Sequence, residues 1–150
     1  MSEKVLRLFT DGAARGNPGP AGLGVVIEDG QGMRLRGLTR YIGVATNNQA
    51  EYRALIEGLA ALREWKPDGV EVYLDSRLVV EQVKGNFKVK NADLQPLHRR
   101  AQELLRSLPV TKVEHVERER NRGADALANR AIDDWQAKER SQQTAKPAEP

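Results

Sequence analysis

The chain opens with three successive segments of strand period before any helical period begins, and few architectures accommodate that order. From Lys4 to Asp11, Leu6, Leu8 and Thr10 fall on one face and Val5, Arg7 and Phe9 on the other, the alternation of a half-buried strand that stops at a carboxylate. A Gly/Pro-rich turn follows from Gly12 to Pro20. Two further strands are expected over Gly22–Glu28 and Met33–Ile42, joined around Asp29-Gly30, a dipeptide suited to hairpin turns. The chain thus begins as an antiparallel meander.

Helical spacing then takes over. Ala50, Ala54, Leu55, Leu59 and Leu62 share one side, and Thr46-Asn-Asn-Gln49 reads as a capping box at the start. Val70, Val72 and Leu74 alternate into Asp75, a fourth strand that again ends at an aspartate. Ser76 to Val83 reads as a short helix closed by Gly85, and Asn91 as the cap of a helix carrying Leu94, Leu97, Ala101, Leu104, Leu105 and Leu108. Pro109 ends it, Val110–Val116 is a fifth strand, and Ala124–Trp135 a last helix. The order βββαβααβα predicts an α/β domain with a mixed five-stranded sheet flanked by helices, antiparallel in the meander and parallel where helices cross over. With strands one, four and five as parallel neighbours, Asp11 and Asp75 emerge together at their carboxyl ends, where open α/β sheets place their sites.

A length of 150 residues with 39% hydrophobic content supports one domain, placed at residues 1–137. Residues 138–150 are polar with no apolar period, and a disordered tail is expected there. The absence of cysteine excludes disulfides, a thiolate zinc site and a thiol nucleophile. No apolar stretch approaches the roughly 18 residues of a membrane span, so a soluble, monomeric, cytoplasmic protein is the expectation. A net charge of +3 permits polyanion binding without requiring it.

Four acids, Asp11, Glu51, Asp75 and Asp125, lie at a strand end, a helix start, a strand end and a helix start, and in such a fold they can converge. Two like charges 4 Å apart repel by about 1 kcal/mol in water and about 4 kcal/mol at an effective dielectric near 20, so clustered carboxylates need protons or cations. Oxygen-only ligands suit Mg2+ or Mn2+ rather than zinc, and two such ions serve phosphodiester chemistry, as in nucleases and polymerases. Taken singly, each acid reads equally as a helix cap or a solvated surface group.

It is at these acids that the chain resembles the type 1 ribonucleases H of bacteria and archaea. The matching blocks are Thr10-Asp-Gly-Ala-Ala-Arg-Gly-Asn-Pro-Gly-Pro-Ala-Gly22, Thr46-Asn-Asn-Gln-Ala-Glu-Tyr52, Leu74-Asp-Ser76 and Asn121-Arg-Gly-Ala-Asp-Ala-Leu-Ala128, in order and in register. The resemblance implies hydrolysis of the RNA strand of RNA/DNA hybrids with two divalent ions, Mg2+ or alternatively Mn2+. It also implies that Asp11 bridges both ions, with Glu51 and Asp75 on one and Asp125 on the other. Asn17, Thr46, Asn47 and Asn48 are implied substrate contacts, suited to the 2′-hydroxyls in the wide minor groove of a hybrid. Asn17 is equally a turn residue and Thr46 equally a helix cap.

Two departures from the better-known bacterial pattern stand out. A basic insertion that grips the hybrid is replaced by Lys84-Gly-Asn-Phe-Lys-Val-Lys-Asn91, as in a short, archaeal-like subgroup, which leaves room for side activity on double-stranded RNA. Where the familiar members have a mobile His before the last acid, this chain reads Glu117-Arg-Glu-Arg-Asn121, and Arg118 is the expected replacement, able to pair with phosphate but not to act as a base. His98 and His115 are expected in structural or surface roles, as are Trp65 and Trp135. Two rivals are a non-catalytic hybrid-binding module, in which loss of an acid is expected, and a resolvase or integrase of the same fold.

Overall fold

The computed structural model describes residues 3–145. β1 (Val5–Ala14), β2 (Gly19–Asp29) and β3 (Arg34–Ala45) form the meander, followed by α1 (Asn47–Leu62), β4 (Gly69–Leu74), α2 (Arg77–Val83), α3 (Gln95–Ser107), β5 (Val110–His115) and α4 (Arg122–Ala145). The five strands make one sheet in the order β3-β2-β1-β4-β5, antiparallel across the meander and parallel from β1 to β4 to β5. This is the mixed α/β sheet that the order of periods predicts.

β2 shows how one strand serves two layers. Leu23, Val25 and Ile27 join Leu6 and Leu8 of β1, Val70 and Val72 of β4, and Leu55, Leu59 and Leu62 of α1 in the main core. The alternate residues Gly22 and Gly24 face α4, whose Ala124, Ala128 and Ile132 are buried. α1 and α4 therefore cover opposite faces, and complete burial of one leucine contributes about 1.5–3 kcal/mol.

Several boundaries differ from expectation, and four of the differences have a clear cause. β1 continues past Asp11 to Ala14, because its antiparallel ladder with β2 runs on from Asp11↔Gly24 to Ala14↔Ala21 after the parallel ladder with β4 has stopped at Thr10↔Leu74. Asn91 is not the cap of α3: its Oδ1 accepts from Asp93 N at 2.7 Å in a tight turn, and the helix begins at Gln95, with Pro96 pre-set for its first turn. α4 begins at Arg122 because a 3-10 turn over Arg118–Asn121 leads straight into it. The expected disorder from residue 138 is also corrected, since α4 runs through Ala145. Lys138, Glu139, Arg140, Gln142 and Gln143 are good helix formers, and no Gly or Pro interrupts them, so propensity extends the helix where the apolar period has ended. Residues 146–150 of that segment lie outside the described residues. Among the described residues no helix is long and apolar enough to cross a membrane.

Candidate active site

β1 and β4 pair in parallel through Thr10↔Leu74, so the next residue on each strand, Asp11 and Asp75, comes out at the same edge of the sheet. Glu51 reaches them from α1. The helix start is set by the capping box, in which Thr46 Oγ1 accepts from Gln49 N at 3.1 Å and Gln49 Oε1 accepts from Thr46 N at 2.8 Å. Its distance from the strand is set by Gly12, where a Cβ would lie 2.1 Å from the carbonyl carbon of Ala50 and 2.4 Å from Glu51 N. Backbone touches backbone there, an approach that only glycine permits. The contact delivers Glu51, whose Oε1 accepts from Gly12 N at 2.9 Å.

One carboxylate oxygen from each of Asp11, Glu51 and Asp75 lies within 4.8 Å of the others. Asp11 and Glu51 are buried, at 5% and 7% exposure. Burial pushes the Asp11 carboxyl far above the usual carboxylate range; its hydrogen bond with Glu51, the charges of Glu51 and Asp75, and the nearby Asp125 add to the shift. Glu51 is also raised, chiefly by burial, although its hydrogen bonds with Asp11 and Gly12 N act the other way. Glu51 Oε2 is buried without a hydrogen-bond partner. A set of this kind requires protons or a cation, and an orphaned carboxylate oxygen beside two more all-oxygen donors fits a hard divalent ion.

Asp125 sits in the first turn of α4, outside the compact group of three yet close enough to raise Asp11. It is brought there by Gly24, where a Cβ would lie 2.0 Å from the Ala124 carbonyl oxygen, so the first turn of α4 rests directly on β2. Asn129 Nδ2 donates to Asp125 Oδ1 at 3.3 Å and to its backbone oxygen at 3.0 Å.

The other predicted residues are placed differently. Asn17, Thr46 and Asn47 hold the turn after β1 onto α1: Asn17 Oδ1 accepts from Asn47 N at 3.0 Å, and Asn47 Oδ1 accepts from Ala14 N at 3.0 Å. Asn48 joins Asn17, Thr46, Asn91 and Asp93 around a cavity of about 170 Å³. Arg118 opens the 3-10 turn, exposed, and among the described residues it forms no ion pair with Glu117, Glu119 or the four acids. His115 closes β5 opposite Leu74. His98 is half-buried, its Nε2 3.1 Å from the Gln82 oxygen.

Sequence reasoning assigned no role to two buried amides, although one of them, Asn121, heads a matching block. Gln82 accepts from the Tyr52 hydroxyl at 2.6 Å and donates to the Lys88 oxygen at 3.4 Å, holding the segment after α2, with Phe87 49% exposed at its tip. Asn121, 1% exposed, donates to the Thr10 oxygen at 3.0 Å and to Asp75 Oδ2 at 3.1 Å. Nothing in their periodicity marks them, since an amide shows its purpose only through partners distant in sequence.

Comparison with known proteins follows the same outline. The Reverse transcriptase-like family matches residues 9–131, a span that includes all four acids. Ribonuclease HI of Halobacterium salinarum is 45% identical over 84% of the chain, which spans 63% of that relative's length; mycobacterial relatives of equal identity are spanned over only 34% of theirs. Ribonuclease H of Dechloromonas aromatica is 36% identical, with 89% of this chain and 97% of that one covered. Among solved structures, LC11-RNase H1 in complex with an RNA/DNA hybrid superposes with a TM-score of 0.82 at 41% identity, over 86% of this chain and 97% of that one. Agreement at this level runs from the strand that bears Asp11 to the helix that bears Asp125, and on that ground the chain belongs to the ribonuclease H family.

Proposed function

We propose that this chain is an endonuclease that hydrolyses the RNA strand of RNA/DNA hybrids, leaving 5′-phosphate and 3′-hydroxyl ends. The observation that carries the reading is the buried acid cluster with its orphaned Glu51 oxygen, and the hybrid complex of LC11-RNase H1 supports the choice of substrate. Asp11, Glu51, Asp75 and Asp125 are the catalytic acids and would hold two divalent ions, Mg2+ or alternatively Mn2+, with Asp11 shared, Glu51 and Asp75 on one ion and Asp125 on the other. Bound ions of this kind supply an activated water and neutralise charge on the attacking and departing oxygens. The chain's own residues bind and orient the hybrid. Asn17, Thr46, Asn47 and Asn48, gathered at the N-terminal start of α1, offer amide NH2 and hydroxyl groups to the minor groove, where the ribose 2′-hydroxyl separates RNA from DNA. The catalytic unit is residues 1–137, acting as a monomer in the cytoplasm.

The test is cleavage of end-labelled hybrid, double-stranded RNA and double-stranded DNA, with Mg2+, Mn2+ or EDTA. Hybrid is expected to be cut fastest and only with a divalent ion, and DNA not at all; slower cleavage of double-stranded RNA is compatible with the reading. DNA cut as fast as hybrid would reject the reading.

Arg118 is proposed to pair with a phosphate oxygen of the substrate and stabilise charge developing there. A guanidinium stays protonated at any working pH, so it serves as a donor and not as a base. The surface pair with Glu117 or Glu119 that would otherwise occupy it is not formed among the described residues. Arg118→Ala is expected to lower kcat by roughly ten- to a thousandfold with a much smaller change in KM, and Arg118→Lys to recover part of the rate. Steady-state kinetics on hybrid decide it, and an unchanged kcat in Arg118→Ala removes the role.

A further inference from the structure

Asn121 occupies the junction of the three segments that carry Asp11, Asp75 and Asp125. It ends the 3-10 turn that leads into α4, and its single amide nitrogen serves two acceptors, the Thr10 oxygen at 3.0 Å and Asp75 Oδ2 at 3.1 Å. Thr10 directly precedes Asp11, and α4 carries Asp125 in its first turn. Chemistry fixes the orientation of the amide, because a flipped side chain would set its oxygen against a carbonyl and a carboxylate, three acceptors with no proton between them. The amide oxygen, in its actual position, is buried without a partner. An uncompensated buried acceptor costs about 1–3 kcal/mol, so the two donated bonds are retained in spite of that cost. No other hydrogen bond engages the Asp75 side chain among the described residues.

From this geometry we infer that Asn121 is a positioning residue, which holds one oxygen of Asp75 so that the other is presented to a divalent cation. The inference rests on the proposed metal-dependent reading of the acid cluster. Asp75 is half-buried at the end of β4, where the chain leaves the sheet, and a carboxylate there would otherwise rotate about its last bond. One donated bond restricts that rotation. The second bond, to Thr10, fastens the same amide to β1, so Asp75 is held relative to Asp11 rather than merely stiffened. Groups that orient metal ligands in this manner typically change metal affinity or activity by about 10–100-fold when removed.

Calorimetric titration of the full chain with Mn2+, in the absence of nucleic acid, tests this directly. Asn121→Ala is expected to weaken Mn2+ binding by about 10–100-fold relative to the wild type, and to shrink the rise in Tm that Mn2+ produces. Cleavage lost at limiting Mn2+ should return as Mn2+ is raised, with KM for hybrid at saturating Mn2+ within about threefold of the wild type. A merely structural asparagine predicts the opposite pattern, a lower metal-free Tm with wild-type Mn2+ affinity, and that result overturns the inference. If Asn121→Ala does not fold, Asn121→Leu, which is close to asparagine in shape and has no donor, is put through the same titration and judged by the same criterion. A wild-type chain that takes up no Mn2+ sinks the metal-dependent reading itself, a failure distinct from equal binding by wild type and variant.

Discussion

Asp11→Asn is expected to abolish divalent-ion-dependent cleavage and, with EDTA present, to raise the melting temperature. The two effects share one cause. Asp11 is buried among Glu51, Asp75 and Asp125, and both Asp11 and Glu51 have pKa values raised above the ordinary carboxylate range, chiefly by burial. A carboxyl raised on folding binds its proton more tightly in the folded chain. Its stabilising contribution is full below the unfolded pKa, near 4, and is lost as the pH rises through the elevated folded value. The ion-free wild type should therefore lose stability progressively from about pH 4 through the neutral range. A divalent cation, which binds the folded cluster and not the unfolded chain, should restore it.

Asparagine matches aspartate in volume and is neutral without a proton, so the folded variant escapes the cost of protonating a buried carboxyl at neutral pH, while the ligand proposed to be shared is removed. At pH 7.5 without metal the gain should be on the order of 1–3 kcal/mol, several degrees in Tm for a chain of this size. Added Mg2+ or Mn2+ should then stabilise the variant far less than the wild type. Melting curves from pH 4 to 9, with EDTA or with metal, check the stability half, and single-turnover cleavage checks the other. Wild-type turnover by a folded Asp11→Asn protein would end the two-metal assignment. A Tm in EDTA below that of the wild type would show that burying the Asp11 charge is not a strain on the fold.

Gly12→Ala should have the largest effect of any single methyl added to this chain's active-site strand. The new carbon would meet the carbonyl carbon of Ala50 at 2.1 Å, its oxygen at 2.2 Å and Glu51 N at 2.4 Å. All three are backbone atoms, so no flexible side chain can swing aside, and α1 must move bodily away from β1. Overpacking ordinarily costs 1–3 kcal/mol; with main chain on both sides, about 3 kcal/mol or more is expected, roughly 6–12 °C in Tm. The displacement also carries Glu51 away from Asp11 and breaks its bond with Gly12 N. Activity measured well below the variant's own Tm should therefore remain at least tenfold down, because groups about 1 Å out of place cost rate even in a folded enzyme. A variant melting within about 2 °C of the wild type would mean that the strand and helix are not held this closely.

Much of the site could be read before any fold was known. The capping box at Thr46 and Gln49 and the period-two runs into Asp11 and Asp75 are local patterns, and they recur in the structure where the period places them. Element ends were less legible. β1 outruns Asp11 because β2 continues to pair with it, and α4 outruns its apolar stripe because helix formers follow without a break. The amides show the limit most plainly, for Asn17 and Asn47 proved to bond to one another and to Ala14 in building the loop, while Asn121 bonds to Asp75 from a position 46 residues away.

By itself, then, the sequence determined which elements form and the mixed character of the sheet, because periodicity, caps and turn residues act over a few neighbouring positions; it offered the four acids only as candidates near element ends. Only the tertiary structure decided how near those acids come and what holds them there. Their spacing follows from backbone contacts at Gly12 and Gly24 and from one amide at Asn121, and each of these joins segments whose meeting depends on the packing of the whole sheet between α1 and α4.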